Sequence, residues 1–206
     1  MGRATVAAMR VVRPASMQDL PGAYRVCLLT GDSGRDASAI YRNPELLGHV
    51  FVGPYVVGEP DLALVVADED GIAGYLLAAA DTRGFEHWAE QRWWPPLRDQ
   101  YPLREERSPD AELIELLHRP PTVGESIVRA FPSHLHIDLL ERVRGKGLGR
   151  HLVDGLIEDL RRRGSVGVHL DVALDNDNAI AFYRHLGFEE LERRPNALIM
   201  GLGLGA

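Results

Sequence analysis

The chain has 206 residues, with 23 Lys or Arg against 30 Asp or Glu for a formal charge of −7, and 45% of its residues are apolar. This is the composition of one globular domain of ordinary size; no apolar run approaches the roughly 20 residues of a membrane helix. The acidic balance argues against a protein whose main partner is a nucleic-acid backbone. One cysteine, Cys27, excludes an intramolecular disulfide, and Met1 to Ala8 is too weak for a signal peptide. The expectation is a cytoplasmic protein without nucleic-acid or membrane partners. The basic residues divide into 22 arginines and a single lysine, Lys146.

Met9 to Ser16 is a short β-branched run stopped by Pro14 and reads as an edge strand. A helix follows, with Asp19 placed to cap it, Pro21 in its first turn, and an apolar set that includes Leu20, Tyr24 and Leu28 until Gly31 ends it. Cys27 falls among its buried positions, where a thiol without a basic neighbour is inert. Thr30 to Ala37 has loop chemistry, and a short helical stretch then leads to a turn at Gly53-Pro54-Tyr55. The apolar runs Leu62 to Ala67 and Ile72 to Ala80 flank Asp70-Gly71, a strong hairpin signal.

From about 81 to 132 the chain is rich in Trp and Pro, including Trp88, Trp93 and Trp94, with short helical pieces such as Pro109 to His118 behind a Ser108 cap. This insertion is too aromatic for a linker and marks no domain boundary. The last third is regular. It reads as a strand from Ser133 to Leu140, a glycine-rich turn, a helix from about Gly147 to Arg163, and a strand from Val166 to Val172. A helix from Asn176 to Leu186, closed by Gly187, precedes two strands between Phe188 and Met200. Strands flank helices throughout, so the class is α/β with a mixed sheet.

The turn after the Ser133 strand holds Gly145, Gly147 and Gly149 and opens a helix. Such a turn captures anions: glycines let the backbone approach, successive N–H groups converge, and the helix N-terminus adds about half a positive charge. Arg144, Lys146 and Arg150 surround the same point. No Ser or Thr follows to hold Mg²⁺, and the spacing is not that of a dinucleotide fingerprint. Downstream, Asn176 or Asp175 would cap a helix that sets Asn176, Ala179, Ile180 and Tyr183 on one face.

The pair Arg144-x-x-Gly147-x-Gly149 after a strand and Asn176-x-x-Ala179-Ile180-x-x-Tyr183-x-x-x-Gly187-Phe188 resembles motifs A and B of the GNAT superfamily of N-acetyltransferases. Tyr24 to Gly31, Pro44 to Tyr55, Trp94-Pro95 and Phe131 to Ser133 look like the acetyltransferase-like C-terminal domain of animal O-GlcNAcases, in which the glycine loop is degraded. Here the loop is intact, which implies a catalytic relative, and no glycosidase domain lies within these residues.

The resemblance implies a single acyl-CoA N-acyltransferase domain over residues 1–206, its mixed, mostly antiparallel central sheet containing splayed parallel strands and flanked by helices. It implies acetyl-CoA as cosubstrate, no metal, an unidentified amine as acceptor, and a possible homodimer. The cofactor would be held by Leu139 and Leu140 of the strand, by Arg144, Gly145, Lys146, Gly147, Leu148 and Gly149 of the turn, and by Asn176, Ala179 and Tyr183. Tyr183 matches the tyrosine that donates a proton to the CoA sulfur.

His134, His136 and Asp138 alternate onto one face of their strand, an unusual concentration of polar groups that suggests a lined cavity. Many relatives carry a glutamate base at the position of Ser133, so Asp138 ranks first here as general base and His136 second. A bulge in this strand would change which side chains face the acceptor. The Trp-rich insertion and the Thr30 to Ala37 loop, with Asp32 and Asp36, are expected to wall the acceptor pocket. The alternative function is a non-catalytic CoA-binding or protein-interaction module of the same fold.

Overall fold

The computed structural model of the chain describes residues 10–103, 105–145 and 147–205. Seven strands, β1 Val11–Pro14, β2 Ala63–Asp68, β3 Gly71–Ala79, β4 Ser133–Leu139, β5 Gly167–Ala173, β6 Glu189–Arg193 and β7 Ala197–Gly203, form one sheet in the order β1-β2-β3-β4-β5-β7-β6. Every neighbouring pair is antiparallel except β4 and β5. One face is covered by α1 Leu20–Thr30, α2 Leu46–Phe51, α3 Gly53–Gly58, α4 Thr82–Arg92, α5 Trp94–Gln100 and α6 Pro109–His118, with α7 Glu125–Ala130 leading into β4. The other face is covered by α8 Leu148–Arg162 and α9 Asp177–His185.

Two cores result, one on each face. Along β3, Tyr75, Leu77 and Ala79 face the α1 to α6 side, while Leu76 and Ala78 face the α8 side. Burial on both faces explains why this strand reads as a continuous apolar run rather than an alternating one. The β2–β3 hairpin closes at Asp70-Gly71, with Gly71 at φ +102°. Cys27 is buried in the α1 core, which pushes its thiol up to about 12.

Local signals placed most elements. Ser108 Oγ accepts from Ala111 N–H at the start of α6, and Asn176 Oδ1 accepts from Ala179 N–H at the start of α9. Asp19 departs from expectation. Its carboxylate accepts from Ser16 N–H and Oγ and from the Arg13 guanidinium instead of capping α1. Gly53-Pro54-Tyr55 is also not a turn but the first turn of α3, because proline's fixed φ and missing N–H suit a helix start as well as they suit a turn.

β4 is the central strand, and it follows β3 from Gly74↔Leu139 to Ala79↔His134 without a register shift, so the bulge that would redirect its side chains is absent. Its parallel pairing with β5 covers only Ser133↔Val168 and His134↔His169, after which the strands part. Leu140 N–H bonds Ala73 O at 2.8 Å on the β3 side. By the alternation of an antiparallel ladder, the backbone groups of Ile137 and Leu139 therefore face the gap.

Stability should follow the glycines of the covering helices. A Cβ at Gly48 would enter the ring of Tyr24, whereas one at Gly155, on the exposed side of α8, meets nothing. Urea denaturation is expected to show Gly48→Ala less stable by about 1–3 kcal/mol and Gly155→Ala more stable by about 0.5–1 kcal/mol.

Candidate active site

Where β4 and β5 part, the chain leaves β4 through a short 3-10 turn, Glu141–Val143, and enters the glycine-rich turn. Gly145 and Gly147 hold φ of +80° and +78°, the left-handed region that side chains disfavour, and a Cβ on either would meet only open space. Gly147 is the N-cap of α8 and offers no side chain to its first turn. The N–H groups of Gly149 and Arg150 thus have no acceptor within the helix and point out of its positive end. Leu148 begins α8 and packs against the core on that face, and a Cβ at Gly149 would lie 3.2 Å from Phe182 of α9, so the two helices meet closely here. Lys146 lies outside the described residues.

Arg144 spans the gap. Its Nε donates to Leu139 O at 2.7 Å and its Nη2 to Gly34 O at 3.2 Å. Leu140 spends its N–H on Ala73 O and its carbonyl accepts from Val143 N–H, which leaves only that carbonyl's second lone pair for a ligand. Arg150 turns away to His185 O at 3.5 Å. The loop from Thr30 to Ala37 also departs from expectation. Ser33 Oγ donates to Asp175 Oδ1 at 2.5 Å, Asp32 pairs with Arg35, and Asp36 accepts from Ser38 N–H. This loop closes on the mouth of the gap and does not wall the cavity, because its carboxylates are consumed by partners a few residues away.

The cavity lies on the α3–α4 face, beside the point of divergence, and holds about 580 Å³. Phe51, Tyr55, Phe85 and Trp94 supply its aromatic wall; His134 and His136 of β4 and His169 of β5 form its floor, with the more exposed Asp171 of β5 at its rim. Trp93 points elsewhere, its indole N–H donating to His49 O at 2.9 Å.

A buried chain of hydrogen bonds organises this floor. The Thr82 hydroxyl donates to Pro132 O at 2.7 Å and lies 2.8 Å from His134 Nδ1. Tyr55 Oη lies 2.8 Å from His134 Nε2 and 2.9 Å from His136 Nε2. Burial lowers both imidazoles' pKa, that of His134 well below 6.5 and that of His136 to about 4, so both are neutral. A carbonyl can only accept, so Thr82 gives its proton to Pro132 and accepts from His134 Nδ1–H. His134 Nε2 then accepts from Tyr55, and Tyr55 accepts from His136 Nε2–H. His136 Nδ1 is left with a lone pair and no protein partner among the described residues. His169 is fixed separately, its Nδ1–H donating to Phe131 O at 2.7 Å.

Asp138 is placed differently from His136. It accepts from Tyr75 Oη at 2.6 Å, burial pushes its carboxyl up to about 6, and it does not line the cavity. Of the two candidate bases, His136 lines the cavity and Asp138 does not. Ser133 is fully buried, bonded to Ala80 O and to Ser165, and offers nothing to an acceptor. Tyr183 is buried on the α9 side, where desolvation first and then the charge of Asp138 raise its pKa. Its ring packs edge-on against Phe188, with the Asn176 cap and Ala179 on the preceding turns of the same helix. Tyr55, Thr82 and His169 were missed by the sequence reading; the alternation of His134 and His136 was the one signal pointing to partners for buried imidazoles.

The model of the acetyltransferase (GNAT) family matches residues 35–188. Protein O-GlcNAcase of Rattus norvegicus is 28% identical over 186 residues, covering 88% of this chain and 20% of that protein, so the chain spans about one fifth of the length of this relative. The ribosomal protein bS18-alanine N-acetyltransferase of Salmonella typhimurium is 47% identical over 51 residues, 25% of this chain and 34% of that enzyme. The crystal structure of SsHAT superposes with a TM-score of 0.86 at 37% identity, covering 96% of this chain and 99% of that one. With its parted β4 and β5, its glycine turn and these relatives, the chain belongs to the GNAT acetyltransferase family.

Proposed function

We propose that this protein is an acetyl-CoA-dependent N-acetyltransferase acting on an amine bound in the cavity. The observation that carries the reading is the meeting, at one point of the sheet, of three features: the gap between β4 and β5, the glycine turn at its mouth, and a cavity floored by His136. The residues fit the donor. Gly145 and Gly147 leave open space where side chains would stand, and the Gly149 and Arg150 N–H groups suit a pyrophosphate. The backbone of Ile137 and the N–H of Leu139, whose carbonyl Arg144 already holds, suit the amides of a pantetheine arm, with Arg144, Leu148, Asn176, Ala179 and Tyr183 around them.

When bound, acetyl-CoA supplies an acetyl carbon activated as a thioester. His136 Nδ1 accepts the proton that the amine nitrogen releases on acylation, and the Tyr55–His134–Thr82 chain holds that imidazole in the tautomer with the lone pair facing the cavity. Tyr183 stays protonated at neutral pH and gives its hydroxyl proton to the departing sulfur.

Acetyl-CoA is expected to bind with micromolar affinity in isothermal calorimetry, and absence of binding rules the proposal out. Tyr183→Phe and His136→Gln should each lower kcat for thiol release by about 10²-fold or more while leaving the calorimetric affinity nearly intact.

The buried imidazole also has a pH signature. His136 sits at about 4 when folded against an ordinary 6.5, so the unfolded chain takes up the proton first. The stability held in the neutral ring is complete above about 6.5 and is lost as pH falls towards 4. Asp138 acts oppositely: its contribution is complete below 3.8 and is lost as pH rises through about 6. Urea denaturation from pH 7.5 down to about 5 is expected to show a shallower loss of stability in His136→Gln, which keeps a donor for Tyr55, than in the natural protein.

A further inference from the structure

We infer that the acceptor is an arylamine, a small molecule whose nucleophilic nitrogen is bonded directly to an aromatic ring. The inference rests on the acetyl-transfer reading above and concerns the chemistry of the cavity. At about 580 Å³ the cavity suits a small molecule rather than a folded partner. Phe51, Tyr55, Phe85 and Trp94 give it an aromatic wall, with Tyr55 and Phe85 stacked at 4.4 Å between ring centroids.

Its charges decide the rest. Three carboxylates reach the lining: Glu86 pairs with Arg83 at 2.5 Å, an arginine also shared with the exposed Glu125, Glu90 pairs with Arg98 at 2.6 Å, and Asp171 lies 3.7 Å from Arg194, which holds Glu192 more closely at 2.8 Å. The loosest of these, Asp171, has a side chain 46% exposed and stands at the rim. The groups facing His136 are His134 on its own strand, His169 on β5, Tyr55 from α3, and the Arg83–Glu86 pair from α4. None supplies an unpaired negative charge.

An alkylamine, with a conjugate acid near the lysine value of about 10.4, arrives as an ammonium and finds no unpaired carboxylate among the groups facing His136, the loosely held Asp171 being the exposed exception in the lining. It would also have to be deprotonated by an imidazole that burial has made a weak base. An arylamine arrives neutral, because its lone pair is delocalised into the ring, and the ring finds an apolar, aromatic wall. On reaction its nitrogen forms the N–C bond to the acetyl carbon as the C–S bond of the donor breaks. One N–H proton passes to His136 Nδ1, and the sulfur leaves as a thiol with the Tyr183 proton.

The test compares 4-methylaniline with benzylamine, two acceptors of equal carbon count, by thiol release at saturating acetyl-CoA, with calorimetric titration of acetyl-CoA in parallel. At pH 7.5, kcat/KM for 4-methylaniline is expected to exceed that for benzylamine by about tenfold or more, and to stay flat between about pH 7 and 9. Arg98→Gln, checked for folding by circular dichroism, leaves Glu90 unpaired in the wall and should shift the ratio towards benzylamine. If acetyl-CoA binds and benzylamine is preferred, or neither amine is acetylated, the arylamine assignment is overturned while the donor site stands. If acetyl-CoA fails to bind, the acetyl-transfer reading falls with it.

Discussion

The site depends on a single constraint, the limited pairing of β4 with β5. Each strand is committed to its other neighbour: β4 to β3 from Gly74↔Leu139 to Ala79↔His134, and β5 to β7 from Gly167↔Gly203 to Ala173↔Ala197. Once the Ser133 and His134 pairs are made, nothing holds the two strands together, and the twist of the sheet carries them apart. The parted edges expose backbone N–H and C=O groups that must find partners, and Arg144 already satisfies one of them at Leu139 O. A gap that needs hydrogen bonds, at the open end of a helix, is suited to hold a ligand before any side chain is considered.

The charge distribution follows from the same economy. Arginines across the molecule are spent locally, Arg13 on Asp19, Arg98 on Glu90, and Arg142 on Asp68. The Arg98–Glu90 pair, open to solvent at Glu90, contributes at most about 1 kcal/mol, whereas Asp19 and Asp68 are shielded carboxylates that need their arginines to offset burial; all three pairs cancel charge and fix side chains. The proposed anion site therefore draws on backbone dipoles at the start of α8 more than on surplus cations, which is how a chain with net charge −7 can present it.

Behind the cavity, polar groups are buried in number, and burial of that kind is costly unless every donor and acceptor is matched. Here no fully buried side-chain nitrogen or oxygen among the described residues lacks a partner, and the match runs along the chain as far as His136 Nδ1, its one atom left without a protein partner. The directionality of the Thr82–His134–Tyr55–His136 chain comes from the one member that cannot donate, the Pro132 carbonyl. A passive core would be better served by apolar side chains at these positions, so retaining four polar groups there is consistent with the role proposed for the last of them.

Much of the fold was legible because its signals are local. Caps such as Ser108 and Asn176, terminators such as Gly31 and Gly187, and the glycine turn before α8 act within a few residues, so spacing alone places them. Local signals also misled. Pro54 fits a turn and a helix start equally, and Asp32 and Asp36 looked like cavity walls until their partners in the same loop were visible. Alternation along β4 brought His134, His136 and Asp138 onto one face, but it could not rank them. Their partners Tyr55, Thr82 and Tyr75 lie 79, 52 and 63 residues away in sequence. The sequence by itself determined the class of fold, which rests on periodicity and spacing, marked the glycine turn proposed to hold an anion, and carried the resemblance to the family in the residues of its two motifs. Only the tertiary structure decided that His134 and His136 line the cavity while Asp138 does not, and that the hydrogen-bond chain leaves His136 Nδ1 without a protein partner among the described residues, because a buried group's proton and charge are set by whatever packs against it.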